Sequence, residues 1–232
     1  MINIKKLQLF YITKNKYSTL DGEEFYHCIK VLRKKEKDKI FFTDGCGNLF
    51  SSIIKKINKN SCELDNTEKI KSIQKKGKIE VAVSIIKSQN RLEWMVEKLS
   101  EIGICEISFI LSENCEKKNL KYNRLKKKTI SALKQCNSLF LTQIKELVTL
   151  EDYLKKTSKI KNKFFGDINS NNIFNKPTNK EKSILLIGPE GDFSKKEKDL
   201  IFKNKFKNIS LGSSILRTET AAVVGGFMLR NL

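Results

Sequence analysis

The residues best suited to chemistry in this 232-residue chain lie in one short loop, Gly188-Pro189-Glu190-Gly191-Asp192. Its two glycines let another molecule approach the backbone closely, and Pro189 fixes a backbone angle and removes a hydrogen-bond donor. The two carboxylates would repel a phosphate, and the glycine spacing matches neither the P-loop nor the dinucleotide fingerprint. The loop therefore indicates a site for a cationic or neutral ligand. The alternative is an ordinary tight turn between a strand and a helix.

The residues on either side of this loop predict the elements that position it. Ile184-Leu185-Leu186-Ile187 is a short apolar run, typical of a strand buried on both faces. Ser194 and Glu197 have the spacing of a capping box, with Ser194 as the N-cap of a new helix. Ligands of open α/β sheets bind beyond the carboxyl ends of the strands, where this loop stands.

A second segment, Leu211-Gly212-Ser213-Ser214-Ile215-Leu216-Arg217-Thr218-Glu219-Thr220-Ala221-Ala222, follows a short strand and opens the final helix. The words LLIGPEG and LGSSILRTETAA together resemble the SPOUT superfamily of methyltransferases, which have a deep trefoil knot. Within it the chain is similar to the ribosomal RNA small subunit methyltransferase E family, which methylates N3 of a uridine in 16S ribosomal RNA. The resemblance implies that S-adenosylmethionine is the cofactor and that the chain is an enzyme.

The cofactor site implied by this resemblance uses the loops after three neighbouring strands. Glycines there would permit close approach, and two apolar side chains would cover the adenine. The residues expected to bind the cofactor are Gly166, Gly188, Pro189, Glu190, Gly191, Leu211, Gly212, Ile215, Leu216 and Thr220.

Arg217 and Glu219 are the predicted catalytic residues. Uridine N3 is an imide nitrogen that carries a proton at neutral pH, so its methylation needs a base or stabilisation of the imide anion. Arg217 would stabilise the anion through the uracil carbonyl oxygens, and Glu219 would orient Arg217 or take the proton. The alternative is an ion pair at a helix start that only shapes the loop.

The charge balance favours a polyanionic partner. Lys and Arg number 46 against 26 Asp and Glu, a formal net charge of +20, and such a surplus most simply suits nucleic acid. Only five of the 46 are arginines. Because lysine, isoleucine and asparagine share A/T-rich codons, genome composition is an alternative source of part of the excess. An arginine kept in such a chain is expected to need its planar five-donor fork, which singles out Arg33 and Arg217.

Residues 1–72 predict a small, mostly β domain. Asp21 and Glu24 have capping-box spacing at the start of a helix. The words HCIKVLR and DG-G resemble the PUA-like barrel of the same family, which is thought to grip RNA. His27 and Arg33 are therefore the candidate RNA-binding residues, and the alternative is that they cap and pair within the barrel. Strands are expected at 7–12, 39–43, 49–57 and 61–70.

Residues 73–232 predict an α/β domain with a mainly parallel sheet, which the resemblance identifies as the SPOUT methyltransferase domain. A polar run at 71–78 marks the boundary, and 169–182 is expected to be a mobile loop. The expected strands are 79–86, 105–110, one ending at 164–167, and 184–187; the expected helices are 91–102, 122–136, 149–156 and 220–232.

Several classes of site and location are disfavoured. No stretch approaches the ~18 apolar residues of a membrane span, and no signal peptide is expected. The six cysteines form no C-x-x-C pair and there is one histidine, so no metal site is expected. The expected location is cytoplasmic. The resemblance implies a homodimer acting on 16S ribosomal RNA or the small ribosomal subunit.

The chain departs from the family pattern in two places. Asn114 stands where family members usually carry arginine, and a second arginine and a proline expected around 138–142 are absent, although Gln135 fits. These departures concern RNA or subunit contacts and leave the cofactor segments intact. The alternatives are a SPOUT methyltransferase with another RNA target and a non-catalytic RNA-binding or ribosome-assembly protein.

Overall fold

The computed structural model describes residues 3–14, 16–74, 78–115, 119–172 and 181–231. They form two compact units. The first takes its described residues from Met1–Lys75 and Leu133–Leu141, and the second from Lys76–Ala132 and Thr142–Leu232.

The first unit is built on a five-stranded sheet in the order β1-β3-β4-β5-β2. The pairing of β1 with β3 is parallel and the others are antiparallel. Three register shifts between β4 and β5 bend the sheet, as bulges do, and this curled sheet agrees with the expected barrel-like domain. The strands are β1 (Leu9–Tyr11), β2 (Thr19–Asp21), β3 (Lys39–Thr43), β4 (Asn48–Ile57) and β5 (Ser61–Ser72). Helix α1 (Gly22–Tyr26) continues into a π-helical turn (His27–Val31), and a 3-10 turn covers Ile4–Lys6.

The predicted capping box at Asp21 and Glu24 is wrong. Asp21 is the N-cap of α1, but its side chain makes no capping hydrogen bond. The Glu24 carboxylate instead accepts hydrogen bonds from the Tyr11 amide, at 3.2 Å, and from the Lys134 ammonium. Contacts that are distant in sequence have therefore outcompeted the local cap.

Residues 133–141 complete the core of the first unit. Leu139 packs in one buried cluster with Leu9 and Leu49. Its carbonyl oxygen accepts a hydrogen bond from the Gly47 amide at 2.8 Å. The first unit is thus assembled from two separate parts of the chain.

The second unit contains a six-stranded sheet, every pairing of which is parallel, in the order β11-β9-β10-β6-β7-β8. The strands are β6 (Ile79–Ser84), β7 (Glu106–Leu111), β8 (Gln143–Thr149), β9 (Asn162–Gly166), β10 (Ser183–Ile187) and β11 (Lys207–Ile209). The helices are α2 (Gln89–Glu101), α3 (Tyr122–Gln135), α4 (Leu150–Lys156), α5 (Lys195–Lys203) and α6 (Thr218–Asn231), and the last three residues of α3 belong to the first unit.

Helices cover both faces of this sheet. Residues of α2 and α6 pack in one cluster with Val81 and Leu185, whereas residues of α4 and α5 pack in another with Ala82 and Leu186. Every residue of β6 and β10 is buried. This confirms the predicted α/β class with its parallel sheet, and the apolar run 184–187 as a strand buried on both faces.

The final helix packs tightly against this sheet. A Cβ added at Gly225 would overlap Leu185 Cδ2 and lie 3.1 Å from Leu211 Cδ2. One added at Gly226 would lie 3.1 Å from Leu99 Cδ2. The small residues of α6 therefore serve close packing within the second unit.

Most predicted elements agree with the structure to within a few residues, but two strands were missed. Strand β2 has only three residues, and β8 is an edge strand whose half-exposed, mixed sequence shows no clean alternation. The predicted boundary run and loop include residues 75–77 and 173–180, which lie outside the described residues, as does the end of the predicted final helix at 232.

Two general properties concern the part of the chain that the structure describes. None of its helices is both long and apolar enough to cross a membrane. It also holds no group of three or more His, Cys, Asp or Glu side chains arranged to bind a metal ion.

Candidate active site

Three loops of the second unit meet at the carboxyl edge of the sheet and form a pocket. They follow β9, β10 and β11, which are adjacent in the sheet, as expected from the sequence. The pocket is lined by Gly166, Asp167, Ile168, Ile187, Gly188, Pro189, Glu190, Asp192, Leu211, Gly212, Ser213, Ser214, Ile215, Leu216, Thr218 and Ala221. Eight of the ten residues expected to bind the cofactor are in this lining.

The remaining predicted residues are placed differently. Gly191 and Thr220 are next to lining residues but do not line the pocket themselves, and neither do Arg217 and Glu219, which lie at the start of α6. Ile215 is 83% exposed at the pocket's edge. It is therefore available to cover a ligand.

The glycines of the pocket are needed for two different reasons. A Cβ at Gly166 would lie 3.0 Å from both Ile187 Cδ1 and Leu211 Cδ1, and one at Gly188 would lie 3.1 Å from Phe193 Cδ2. Gly212 has space around it, but its φ of +127° is one that other residues rarely adopt. The first two glycines are thus fixed by packing and the third by backbone conformation.

The predicted capping box fixes the loop after β10. The Glu197 amide donates to Ser194 Oγ at 3.2 Å, and the Ser194 amide donates to Glu197 Oε2 at 2.9 Å. Glu197 Oε1 also accepts a hydrogen bond from the Glu113 amide at 2.9 Å. The capping box is therefore confirmed, and it also ties the start of α5 to the loop after β7.

Lys198 joins two of the pocket loops through their carboxylates. Its Nζ lies 3.2 Å from Asp167 Oδ1 and 2.7 Å from Asp192 Oδ2. Burial alone would raise the pKa of Asp167, but hydrogen bonds from Asn208, the Asn169 amide and Lys198 outweigh it and lower this pKa. Asp167 therefore presents an ionised carboxylate at the pocket wall.

Glu219 is held by an arginine that the sequence reasoning did not select. Arg91 Nε donates to Glu219 Oε1 at 2.6 Å, and Arg91 Nη2 donates to Oε2 at 2.5 Å. Arg91 Nη1 also lies 3.4 Å from Glu190 Oε1. The sequence did contain a sign of this role. Arginine is rare in this lysine-rich chain, and the argument that a retained arginine needs its planar guanidinium applies to Arg91 as well as to Arg33 and Arg217. The pair ties α2 to α6 and to the loop after β10.

This pairing determines the chemistry open to Glu219. Burial would raise the pKa of Glu219, which is 6% exposed, but it is outweighed by the hydrogen bonds of Arg91, a backbone hydrogen bond and the charges of Arg91 and Arg217, which lower the pKa. A carboxylate with a lowered pKa is a weak proton acceptor. Arg217 is exposed, and within the described residues its side chain makes no ion pair. The structure thus pairs Glu219 with Arg91 and leaves the Arg217 guanidinium open to a ligand.

The Arg91–Glu219 pair is expected to contribute to stability in a pH-dependent way. Arg91→Met leaves a buried carboxylate without its cation, which is destabilising, and adding Glu219→Gln should recover part of that loss. We expect a coupling of about 1–3 kcal/mol in the double-mutant cycle at pH 7. Because the folded state lowers the pKa of Glu219, this contribution is present above its unfolded pKa of about 4.3 and is lost as pH falls through the folded value.

Urea unfolding of the wild type, Arg91→Met, Glu219→Gln and the double variant between pH 3 and pH 7 measures this coupling. Arg124→Met is a control for general loss of a guanidinium, since Arg124 pairs with Glu93 and is more exposed than Arg91. Additive effects of Arg91→Met and Glu219→Gln at pH 7 would contradict the prediction.

His27 and Arg33 lie at the π-helical turn of the first unit. His27 is half-buried with its ring centroid 5.9 Å from that of Phe10, and its buried Nδ1 has no hydrogen-bond partner in the described part of the chain. Arg33 is exposed, with a left-handed φ of 54°, and makes no ion pair among the described residues. Tyr26 and Val31 are also exposed, at 62% and 56%. A role for His27 and Arg33 in RNA binding stays a prediction.

Comparison with known proteins bears on both units. A family model described as an RNA methyltransferase domain matches residues 73–226, and one described as an RNA methyltransferase PUA domain matches residues 20–65. The chain is 31% identical over 227 residues to the ribosomal RNA small subunit methyltransferase E of Rickettsia conorii, covering 95% of this chain and 92% of that protein. It is 29% identical over 222 residues to the protein of the same name from Buchnera aphidicola, covering 92% and 90%.

Solved structures match the whole fold. A probable rRNA methyltransferase from Porphyromonas gingivalis is 32% identical with a TM-score of 0.85, covering 97% of this chain and 98% of that one. The ribosomal RNA small subunit methyltransferase E of Neisseria gonorrhoeae, bound to S-adenosyl methionine, is 23% identical with a TM-score of 0.82 and 96% coverage of both chains. The latter match concerns the fold.

Proposed function

Because this chain belongs to the ribosomal RNA small subunit methyltransferase E family, we propose that it transfers a methyl group from S-adenosylmethionine to N3 of a uridine in 16S ribosomal RNA of the small subunit. The acceptor atom and the target RNA are the specific parts of this proposal. Both rest on the family, whereas the chemistry of the pocket supports the choice of cofactor.

The observation that supports S-adenosylmethionine as the methyl donor is the charge of the pocket. In a chain with a net charge of +20, the described residues that line the pocket include three carboxylates and no lysine or arginine. Lys198 pairs with two of them, while Glu190 lies on the exposed loop after β10. Such a lining suits a ligand that carries a sulfonium and an ammonium group, and the glycine backbone and Ile215 suit its adenine.

Arg217 is the residue that acts on the substrate in this proposal. When bound, S-adenosylmethionine supplies an electrophilic methyl group. The N3–CH3 bond of the uracil forms as the S–CH3 bond breaks, and the N3 proton passes to solvent. Arg217 donates to a uracil carbonyl oxygen and stabilises the imide anion. Glu219, bonded to Arg91, holds the start of α6 and thereby positions Arg217.

Methylation of isolated small subunits tests the target. We expect small subunits that lack the methyl group to accept one methyl each, released on digestion as 3-methyluridine in nucleoside mass spectrometry. A methyl group on a ribose, on another base or on transfer RNA would favour the alternative SPOUT activity. A protein that S-adenosylmethionine fails to stabilise in thermal unfolding would favour the non-catalytic alternative, since a ligand at 100 times its Kd adds about 2.7 kcal/mol.

Arg33 is proposed to contact RNA phosphate from the first unit. Its exposure, its strained backbone and the adjoining π-helical turn are features found often at functional sites. Arg33→Ala is expected to weaken RNA binding and to reduce the slope of log K against log salt by about one. Lys56→Ala, an exposed lysine on β4, is the control, and equal effects of the two changes would contradict a specific role. Filter binding at several salt concentrations measures both.

We also propose a homodimer, with α6 at its interface. One face of α6 is buried in the second unit through Ala222, Gly225, Gly226 and Leu229, whereas Phe227 is 54% exposed. Phe227→Glu is expected to shift the protein from dimer to monomer in sedimentation velocity, because it places a charge in an apolar contact. A wild-type protein that sediments as a monomer at micromolar concentration would contradict this.

A further inference from the structure

The three loops of the cofactor pocket are joined to one another by a set of polar side chains that lie partly outside it. Lys198 of α5 contacts Asp167, in the loop after β9, at 3.2 Å and Asp192, in the loop after β10, at 2.7 Å. The other carboxylate oxygen of Asp167 accepts a hydrogen bond from Asn208 Nδ2 of β11 at 3.3 Å. Asp167 and Asp192 line the pocket, whereas Lys198 and Asn208 do not. We call these four residues the brace.

A second contact at Asn208 strengthens the connection between the loops after β9 and β11. Asn172, at the far end of the described part of the loop after β9, donates through Nδ2 to Asn208 Oδ1 at 2.8 Å. The carbonyl oxygen of Asn172 accepts a hydrogen bond from the amide of Ser210, the first residue after β11, at 2.9 Å. These two loops are therefore held together both at Asp167 and at Asn172.

One residue of the brace has a backbone conformation that needs support. Asp192 has a φ of 60°, in the left-handed region, and its carboxylate accepts hydrogen bonds from the Phe193 amide at 2.7 Å and contacts Lys198. Its carbonyl oxygen accepts a hydrogen bond from Asn114 Nδ2 at 2.9 Å. Residues other than glycine persist in this region when the surrounding structure holds them there. The shape of the loop after β10 therefore depends on side chains from other elements.

Lys198 is a cation beside a pocket for a cationic ligand. Burial would lower the pKa of Lys198, but the hydrogen bonds and charges of Asp192 and Asp167 outweigh burial and raise this pKa, so the lysine stays charged. On charge alone, such a cation disfavours a sulfonium group nearby. What Lys198 contributes is therefore geometry, because it holds two carboxylates together that would otherwise repel each other, and the Asp167 carboxylate is buried.

We propose that Lys198 and Asn208 are positioning residues that set the spacing of the three loops and thereby the affinity for S-adenosylmethionine. The inference rests on the proposed function and deepens it, since it names residues outside the lining that determine the shape of the pocket. Loops that are fixed before a ligand arrives lose less conformational freedom on binding. A protein with a broken brace should therefore bind its cofactor more weakly.

Replacement of Lys198 separates positioning from charge, because the two roles predict opposite changes. Lys198→Met removes a positive charge, so a role through charge alone predicts tighter binding of S-adenosylmethionine. A positioning role predicts weaker binding, with a dissociation constant raised on the order of tenfold. It also predicts an equal loss for S-adenosylhomocysteine, which lacks the sulfonium charge. Lys198→Arg keeps the charge and can donate to both carboxylates, so it should bind both ligands within about threefold of the wild type.

Two further variants complete the calorimetric titrations. Asn208→Ala breaks the other end of the brace without changing any charge, and we expect it to raise both dissociation constants about fivefold. Lys196→Met is the matched control for Lys198→Met, since Lys196 is an exposed lysine in the first turn of the same helix and does not line the pocket. It should bind both ligands as the wild type does.

Thermal unfolding without ligand shows whether each variant folds. The proposal is overturned if Lys198→Met binds S-adenosylmethionine as tightly as the wild type or more tightly, or loses affinity for that ligand alone. A lower melting temperature with unchanged affinities would also overturn it, because the brace would then serve stability only. If Lys198→Met fails to fold, Asn208→Ala decides, and unchanged affinity in that variant overturns the proposal.

Failure of the proposed function looks different in these titrations. A wild-type protein that does not bind S-adenosylmethionine would overturn both the cofactor assignment and the role of the brace. Methylation of another nucleotide would contradict the proposed target and leave every one of these affinities as expected, which would still support the brace.

Discussion

Arg217→Lys is expected to slow methyl transfer on the order of 10²-fold at saturating cofactor and RNA, with little change in the affinity for S-adenosylmethionine. Lysine keeps the charge but loses the planar group with five donors that can hydrogen-bond a uracil carbonyl oxygen as negative charge develops on it. Because the interaction strengthens as the imide proton leaves, its loss lowers the rate more than it lowers binding. The Arg217 guanidinium is exposed and makes no ion pair with the residues that the structure describes, which makes this role available.

Single-turnover methylation of small subunits that lack the methyl group measures this effect, and calorimetry measures cofactor binding separately. Arg230→Lys is the matched control, since Arg230 is an exposed arginine in the last turn of α6, the helix that directly follows Arg217. If Arg217→Lys reacts at the wild-type rate, or fails only because cofactor no longer binds, Arg217 merely shapes the loop.

Gly188→Val and Gly212→Val are each expected to abolish measurable S-adenosylmethionine binding, for different physical reasons. At Gly188 the first added carbon would lie 3.1 Å from Phe193 Cδ2, and valine adds two further methyl groups that push the loop or Phe193. At Gly212 there is room, but a φ of +127° strains valine by about 1–3 kcal/mol and the loop is expected to change conformation.

Calorimetric titration with S-adenosylmethionine measures both variants, and thermal unfolding without ligand is the control for folding. Gly188→Val is expected to lower the melting temperature more than Gly212→Val, because only Gly188 has a buried neighbour that must move. Unchanged affinity in both variants would contradict the assignment of these loops to the cofactor.

Sequence reasoning succeeded where structure is set locally. The Ser194–Glu197 capping box depends on residues three apart and is present, and the all-apolar run 184–187 is a strand buried on both faces. That three loops after adjacent strands form one site was predicted from the resemblance to a family, because the order of strands in a sheet does not follow from hydrophobic periodicity.

Sequence reasoning failed where distant residues compete for the same group. Glu24 has the spacing of a capping box, but Tyr11 and Lys134 bind its carboxylate. Glu219 was considered only with its neighbour Arg217, whereas Arg91, 128 residues away, binds both of its oxygens. A carboxylate in a folded chain takes the partner with the best geometry and burial, and sequence spacing reveals only local partners.

The placement of residues 133–141 in the first unit has a consequence for synthesis of the chain on the ribosome. When translation has just passed residue 75, Leu139 has not yet been made. Leu9 and Leu49 then lack this part of their cover, and the Gly47 amide lacks the carbonyl oxygen that accepts its hydrogen bond. The 66 residues from 76 to 141 must first be translated, which takes roughly 3 to 13 s at 5–20 residues per second. Completion of the first unit is therefore delayed until 57 of the 133 residues of the second unit that precede α6 have been made. A fragment ending at residue 75 would be an incomplete barrel with exposed leucines.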